Sequence, residues 1–235
     1  MTGKGTGDRG GLGPNTSFFA SWSGGKDSCL ALHRAMRAGG RPERLLTMLV
    51  EEGNRSHSHG LSLEVLRAQA AALGVPITFR ATTWGDYERH FIGALKEFRA
   101  AGIEAGVFGD IDIGAHREWV ERVCDEAGLA ACEPLWRAER RALLEEFMDA
   151  GFVARVVMVR GGALGPDFLG RTLDRALVRE FEALGIDASG ENGEYHTVVT
   201  DGPIFSSPLA LAEGERVERS GCWFLDVALA PPGRA

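Results

Sequence analysis

Six consecutive residues, Ser23-Gly24-Gly25-Lys26-Asp27-Ser28, place two glycines, an ammonium, a carboxylate and two hydroxyls in one turn. They follow the apolar run Phe18–Ser21 and precede apolar residues at helical spacing. A turn of this kind between strand and helix offers backbone N–H groups at a helix N-terminus, where glycines allow close approach and the dipole favours an anion. The chemistry it suggests is phosphate binding; a tight turn with a solvated lysine is the plainer alternative. Composition bears on the choice. Of the 26 Lys and Arg residues only Lys4, Lys26 and Lys96 are lysines, and one of them sits in this turn. An ammonium is a compact point charge suited to a narrow loop, whereas a guanidinium is a planar fork. The loop is not the G-x-x-x-x-G-K-[ST] type, because Ala20 and Asp27 stand where Gly and Ser/Thr are required, and it is not G-x-G-x-x-G.

A second group lies at Gly190-Glu191-Asn192-Gly193-Glu194-Tyr195-His196-Thr197, where two carboxylates sit three residues apart beside glycines. Carboxylates so placed could hold an ammonium, take a proton from it, or grip a cationic part of a substrate. A turn with solvated charges is the alternative. Gly109-Asp110-Ile111 ends a short apolar run and forms a third group. His57 and His59 supply two imidazoles without a third ligand, a poor metal site, and read as a polar loop over a cleft. Arg117, Trp119 and Glu121 fall on a helix, where Trp119 reads as core, and Trp136 reads as packing at a junction.

These groups need elements to hold them. The first half alternates expected strands (Phe18–Ser21, Arg44–Val50, Ile77–Ala81, Ala105–Phe108) with helical stretches (Ser28–Ala38, Ser62–Leu73, Asp86–Ala100, Ala115–Ala127). Tyr87, Phe91, Leu95 and Phe98 form one apolar stripe. Such alternation predicts an α/β fold with a Rossmann-like parallel sheet, and ligands at the carboxyl ends of its strands. Both the Ser23–Ser28 loop and Gly109-Asp110 then share one edge. The second half predicts a smaller α+β unit: a helix at Glu139–Ala150, a strand at Val153–Val159, a helix over 167–184, and extended runs at Glu194–Thr200, Arg216–Arg219 and Cys222–Leu229. The expected division is a flexible tail over 1–16, the parallel-sheet domain over 17–130 and the smaller α+β domain over 131–230, with a cleft between the last two.

Bulk properties narrow the classes. A chain of 235 residues with 44% hydrophobic and 25% charged residues has the composition of a globular protein with a real core. A net charge of −7 without a basic stripe argues against a nucleic-acid partner. No apolar run approaches membrane-span length, and the first 13 residues hold six glycines and no apolar signal core. Cys29, Cys124, Cys132 and Cys222 contain no C-x-x-C pair, which fits a cytoplasmic protein with reduced thiols. A homodimer is compatible with this size, and no sequence feature decides it.

The Ser23–Ser28 loop resembles the PP-loop of the ATP pyrophosphatase superfamily, which binds ATP phosphates and cuts between α and β. Gly109-Asp110-Ile111, Pro134-Leu135-Trp136 and Gly190–Thr197 resemble motifs of one branch, the diphthine–ammonia ligase family, over residues 17–227. The resemblance implies adenylation of a substrate carboxylate with release of pyrophosphate, then displacement of AMP by ammonia. It implies ATP on Ser23, Gly24, Gly25, Lys26, Asp27, Ser28, Gly109 and Asp110, with Mg²⁺ near Asp27 or Asp110. Lys26, Glu191 and Glu194 are the expected catalytic residues, and His59, Asn192, Tyr195 and His196 the expected substrate contacts. Diphthine-modifying members read E-G-G-E-aromatic-E, whereas Asn192 and His196 make this chain resemble a bacterial-type branch. The acceptor is therefore expected to be protein-borne diphthine or, alternatively, a corrinoid carboxylate. A non-catalytic ATP-binding regulator is a second class. Sulfur transfer to tRNA is a third, and it lacks the paired reactive cysteines and basic surface it would need.

Overall fold

The computed structural model describes residues 12–231. The glycine-rich segment read as a tail falls mostly on residues 1–11, outside the described residues; Asn15 donates its backbone N–H to Gly39 O at 2.8 Å. The chain then runs β1 (Ser17–Ser21), α1 (Lys26–Arg37), β2 (Arg41–Leu49), α2 (Leu63–Leu73), β3 (Ile77–Ala81), α3 (Tyr87–Ala100), β4 (Ala105–Val107), α4 (Gly114–Ala127) and β5 (Ala130–Cys132). These five strands form a parallel sheet in the order β3-β2-β1-β4-β5. Strand order reverses between β1 and β4, so the loops leaving these two strands face one crevice. They are the Ser23–Ser28 loop and Gly109-Asp110.

Buried side chains on both faces explain why β1 is central. Phe18 and Phe19 are both fully buried. Phe18 joins a core with α1 and α2, and Phe19 joins a second core with Phe91, Phe98 and Phe108 under α3 and α4. The α3 stripe read from the sequence packs there, with Phe91, Leu95 and Phe98 all buried.

The second half comprises α5 (Arg140–Asp149), β6 (Val153–Arg160), α6 (Arg175–Ala183), β7 (Tyr195–Asp201), β8 (Leu211–Arg219) and β9 (Cys222–Leu229). Its antiparallel sheet has the order β7-β6-β9-β8. The helix expected over 167–184 begins only at Arg175. Gly170 lies at φ +82°, outside the helical region, and Asp174 caps α6 by accepting N–H bonds from Ala176 and Leu177. The preceding residues instead run beside β6, with Thr172 bridged to Arg155.

One core joins the halves. Phe18, Cys29, Leu32 and Val65 share a buried cluster with Phe147, Val156, Phe181 and Val199. Helices α1 and α2 lie between the two sheets, α1 against β7 and α2 against β9. The second sheet therefore walls the edge at which the Ser23–Ser28 loop lies. Among the described residues no helix is long and apolar enough to cross a membrane.

Candidate active site

Main chain shapes the Ser23–Ser28 loop. Ser23 Oγ and Ser28 Oγ lie 3.0 Å apart, Gly25 N donates to Ser23 Oγ at 3.2 Å, and Ser28 Oγ donates to Gly25 O at 3.1 Å. Gly24 stands at φ +80°, and a Cβ there would meet Gln69 Oε1 at 2.6 Å. A Cβ on Gly25 would meet His59 Cε1 at 2.3 Å. Gly25 is also the N-cap of α1 and brings no capping side chain of its own. Gly109 closes the other side, where a Cβ would lie 2.8 Å from the Asp27 backbone.

The loop is tied to the second sheet by three contacts. Lys26 N donates to Thr197 Oγ1 at 3.1 Å, Val199 N donates to Gly24 O at 2.9 Å, and His59 Nδ1 lies 2.9 Å from Thr197 O. Fully buried Gln69 completes the tie. Its Nε2 donates to Gly24 O and Val199 O at 2.9 and 2.8 Å, and its Oε1 accepts from Trp22 Nε1 at 3.1 Å.

Lys26 is 6% exposed, and its Nζ lies 2.9 and 2.7 Å from the two Asp27 carboxylate oxygens. The ammonium also stands 5.6 Å from the Tyr195 ring centroid. A phosphate arriving here therefore meets a lysine already oriented by its neighbour.

Two cavities meet at this point. One, of about 210 Å³, is lined by Trp22, Ser23, Met48, His57 and Tyr87, together with Asp27, His59, Gly109 and Asp110. The other, of about 310 Å³, shares those last four residues and adds Lys26, His116, Glu191, Tyr195 and His196. The first has the mixed aromatic and polar walls suited to a nucleoside; the second is rich in titratable groups.

In the second chamber burial, reinforced by the Asp27 charge, pushes Glu191 up to about 7. Burial drives His59 down to about 4 and His196 well below its ordinary value. The Asp110 carboxylate, 3.2 Å from His116 Nδ1, raises His116. Tyr195 is fully buried, and its hydroxyl donates to Ala188 O at 2.7 Å.

The structure brings together Ser23, Gly24, Gly25, Lys26, Asp27, Ser28, Gly109, Asp110, His59, Glu191, Tyr195 and His196. Glu194 and Asn192 are placed differently. Glu194 is 5% exposed and accepts from Asn192 N and Nδ2 at 3.1 and 3.2 Å, closing its own turn, and neither residue lines the chamber. The spacing that pairs the two glutamates in sequence separates them in the turn before β7, which Gly193 bends at φ +77°.

Sequence reasoning missed a carboxylate clamp beneath this turn. Asp187 accepts from Ser189 N and Oγ, from Glu191 N at 3.0 Å, and from Arg140 Nη1 at 2.5 Å. Arg140 also grips Asp112 through two bonds of 2.7 Å, linking the turn after β4 to the turn before β7. The signal was an Asp two residues beyond Gly109-Asp110 and another before the second motif; neither spacing reveals a common arginine. His116 and Gln69 were missed too. So was Glu133, a buried carboxyl 3.5 Å from Arg117 with Oε1 unpartnered among the described residues, which burial raises to about 7.

Trp119 donates to Glu88 at 2.8 Å and packs on Phe91, and Trp136 lies under the Arg117 guanidinium. Burial pushes the Cys124 thiol up to about 12 and Cys132 to about 11, far from the reactive range.

A doubly wound sheet with a glycine-lysine loop at its switch point, opening onto an acidic chamber, defines a PP-loop type of α/β nucleotide-binding protein. The chain belongs to the diphthamide synthase family: residues 17–131 match the model of the diphthamide synthase N-terminal domain and residues 139–229 that of its C-terminal domain. It is 29% identical to "Diphthine--ammonia ligase" of Danio rerio, over 90% of each chain. It is 28% identical to the protein of that name from Homo sapiens, covering 88% of this chain and 86% of that one. A looser likeness, at a TM-score of 0.43 and 15% identity, joins 78% of this chain to 96% of the solved chain called "predicted subunit of tRNA methyltransferase" from Methanocaldococcus jannaschii.

Proposed function

We propose that this chain is an ATP-dependent ligase that adenylates a carboxylate, releasing pyrophosphate, and converts the acyl-adenylate to an amide with ammonia. The observation that carries this reading is the meeting of two unlike chambers at one loop, through Asp27, His59, Gly109 and Asp110. A nucleotide with its base in the first chamber and its phosphates on the Ser23–Ser28 loop presents its α-phosphate to the second.

Lys26 and the N-terminus of α1 would stabilise charge on the departing pyrophosphate. Asp27 and Asp110 border both chambers, a donor set suited to Mg²⁺, which binds through one or two carboxylates together with phosphate oxygens. The ion would neutralise phosphate charge there. Glu191, one of three carboxylates lining the second chamber, would take a proton during amide formation. Glu194 holds the turn that presents it.

The family and the named relatives support diphthine, a carboxylate carried on a protein, as the acceptor. The corrinoid alternative draws support only from Asn192 and His196. A location in the cytoplasm is part of the same reading.

The test uses ATP labelled at the α-phosphate, Mg²⁺ and ammonium, with diphthine-bearing protein or a corrinoid carboxylate supplied separately. Labelled AMP formed with the diphthine acceptor is the expected result. AMP formed only with the corrinoid would move the acceptor, and ATP binding without turnover on either would replace the ligase with a regulator.

A further inference from the structure

Amide formation needs a site for the nitrogen nucleophile, and the residues so far given roles serve ATP and the acceptor. We propose that His59 and His196 form the ammonia site, a stacked pair of imidazoles that holds neutral NH₃ beside the loop lysine; this rests on the ligase reading. The two rings lie with centroids 4.4 Å apart and planes 21° from parallel, and both line the second chamber with Lys26 and Glu191.

The tautomer of His59 follows from its partner. Thr197 O, 2.9 Å from Nδ1, can only accept, so Nδ1 carries the hydrogen and Nε2 keeps its lone pair. The ring packs against Gly25 at a distance that leaves no room for even a methyl group, so it cannot turn toward the loop, and the bond to Thr197 O holds its other side. His196 makes no hydrogen bond through its ring to another described residue, so its nitrogens are available to a ligand.

Three candidate ligands can be compared. A carboxylate would face the Nε2 lone pair of His59, and it is better served by Lys26 or His116. A metal ion would want a third ligand, and among the described residues no cluster of three His, Cys, Asp or Glu side chains is disposed to hold one. Ammonium brings a second cation next to Lys26, whose charge already disfavours protonation of both rings. Neutral ammonia fits: its hydrogens are taken by imidazole lone pairs, and its own lone pair remains free. Burial, which keeps both rings uncharged, serves the same end. The other titratable groups lining this chamber are Asp27 from α1, Asp110 from the turn after β4, His116 from α4, Glu191 from the turn before β7 and Tyr195 from β7.

In the step itself, the ammonia lone pair forms the C–N bond to the acyl carbon. The bond from that carbon to the AMP oxygen breaks, and its electron pair leaves on AMP. The new nitrogen gives one proton to the Glu191 carboxylate and remains as the amide NH₂.

The experiment separates the two halves of the reaction in the full-length protein. ATP–pyrophosphate exchange with the diphthine-bearing acceptor, without ammonium, reads adenylation; amide formation against ammonium concentration reads the nucleophile. In His196→Ala the KM for ammonium should rise about tenfold or more, while exchange falls by less than about threefold. His196→Gln, which keeps a hydrogen-bonding group, should recover part of the ammonium KM. An unchanged ammonium KM, or equal losses in both halves, overturns the ammonia site and assigns the pair to the acceptor or nucleotide. Absence of exchange in the native protein overturns the ligase reading and the ammonia site with it. Should His196→Ala fail to fold, imidazole ¹⁵N resonances of the native protein decide. Ammonium chloride at alkaline pH should move the His59 and His196 signals and leave His90, which lines neither chamber, unmoved; no movement of the pair overturns the proposal.

Discussion

The nucleotide pocket takes its shape from main chain and from groups fastened to it, whereas the second chamber takes its shape from charged side chains. At the first, Gly24, Gly25 and Gly109 sit where a Cβ would collide with neighbours less than 3 Å away, and Gln69 clamps two carbonyls. At the second, the Glu191 turn hangs on Asp187 and on an arginine shared with Asp112. Phosphate chemistry is common to many substrates and rewards a fixed cradle; recognition of an acceptor rewards a perimeter that point substitutions can retune. The same architecture can therefore keep one half-reaction while the other changes its substrate.

The largest effect belongs to Lys26. Lys26→Ala is expected to lower AMP formation about 10³-fold, near 4 kcal/mol of transition-state stabilisation, with the far-UV circular dichroism retained. Full activity would show that the cradle needs only main chain.

Next comes the clamp itself. Gln69→Leu keeps the volume and deletes three buried hydrogen bonds, at a cost of about 3 kcal/mol in a denaturant melt. A loss below about 0.5 kcal/mol would mean the loop is rigid without it.

Glu191→Gln sharpens the contrast from the other side. The folded-state value of about 7 lies above the ordinary 4.5, so the folded protein binds this proton more tightly than the unfolded chain. The native residue therefore loses stability as pH rises from about 4.5 through 7. The variant should match the native melt at pH near 4 and exceed it by about 1–3 kcal/mol at pH 8, while amide formation falls about 10²-fold. Equal melts at both pH values would remove burial from the account of this carboxylate.

The smallest effect belongs to Arg140→Gln. It should cost about 1 kcal/mol of stability and raise the acceptor KM severalfold, leaving the ATP dissociation constant within about twofold. A matching loss of ATP affinity would show that the two chambers are not built independently.

Much of the first region was legible because its cause is local. A strand of bulky apolar residues, a glycine turn and an amphipathic helix each announce themselves within a few positions, and strand alternation with helices determines which loops share an edge. The second region is built from long-range contacts. Arg140 meets Asp112 and Asp187 from 28 and 47 residues away, separations with no periodic trace. Gln69 reads as a polar interruption of an apolar helix face until the carbonyls it reaches are known. Strand β5, three residues long, is too short to show a period, and Gly170 alone hinted that the helix expected over 167–184 would be cut.

Strand β7 supplies Thr197 and Val199 to a loop that was made some 170 positions earlier in the chain. During synthesis the Ser23–Ser28 loop therefore leaves the ribosome long before its last wall exists. The loop is complete only once residues near 200 have emerged, so both chambers are finished by the same late strand.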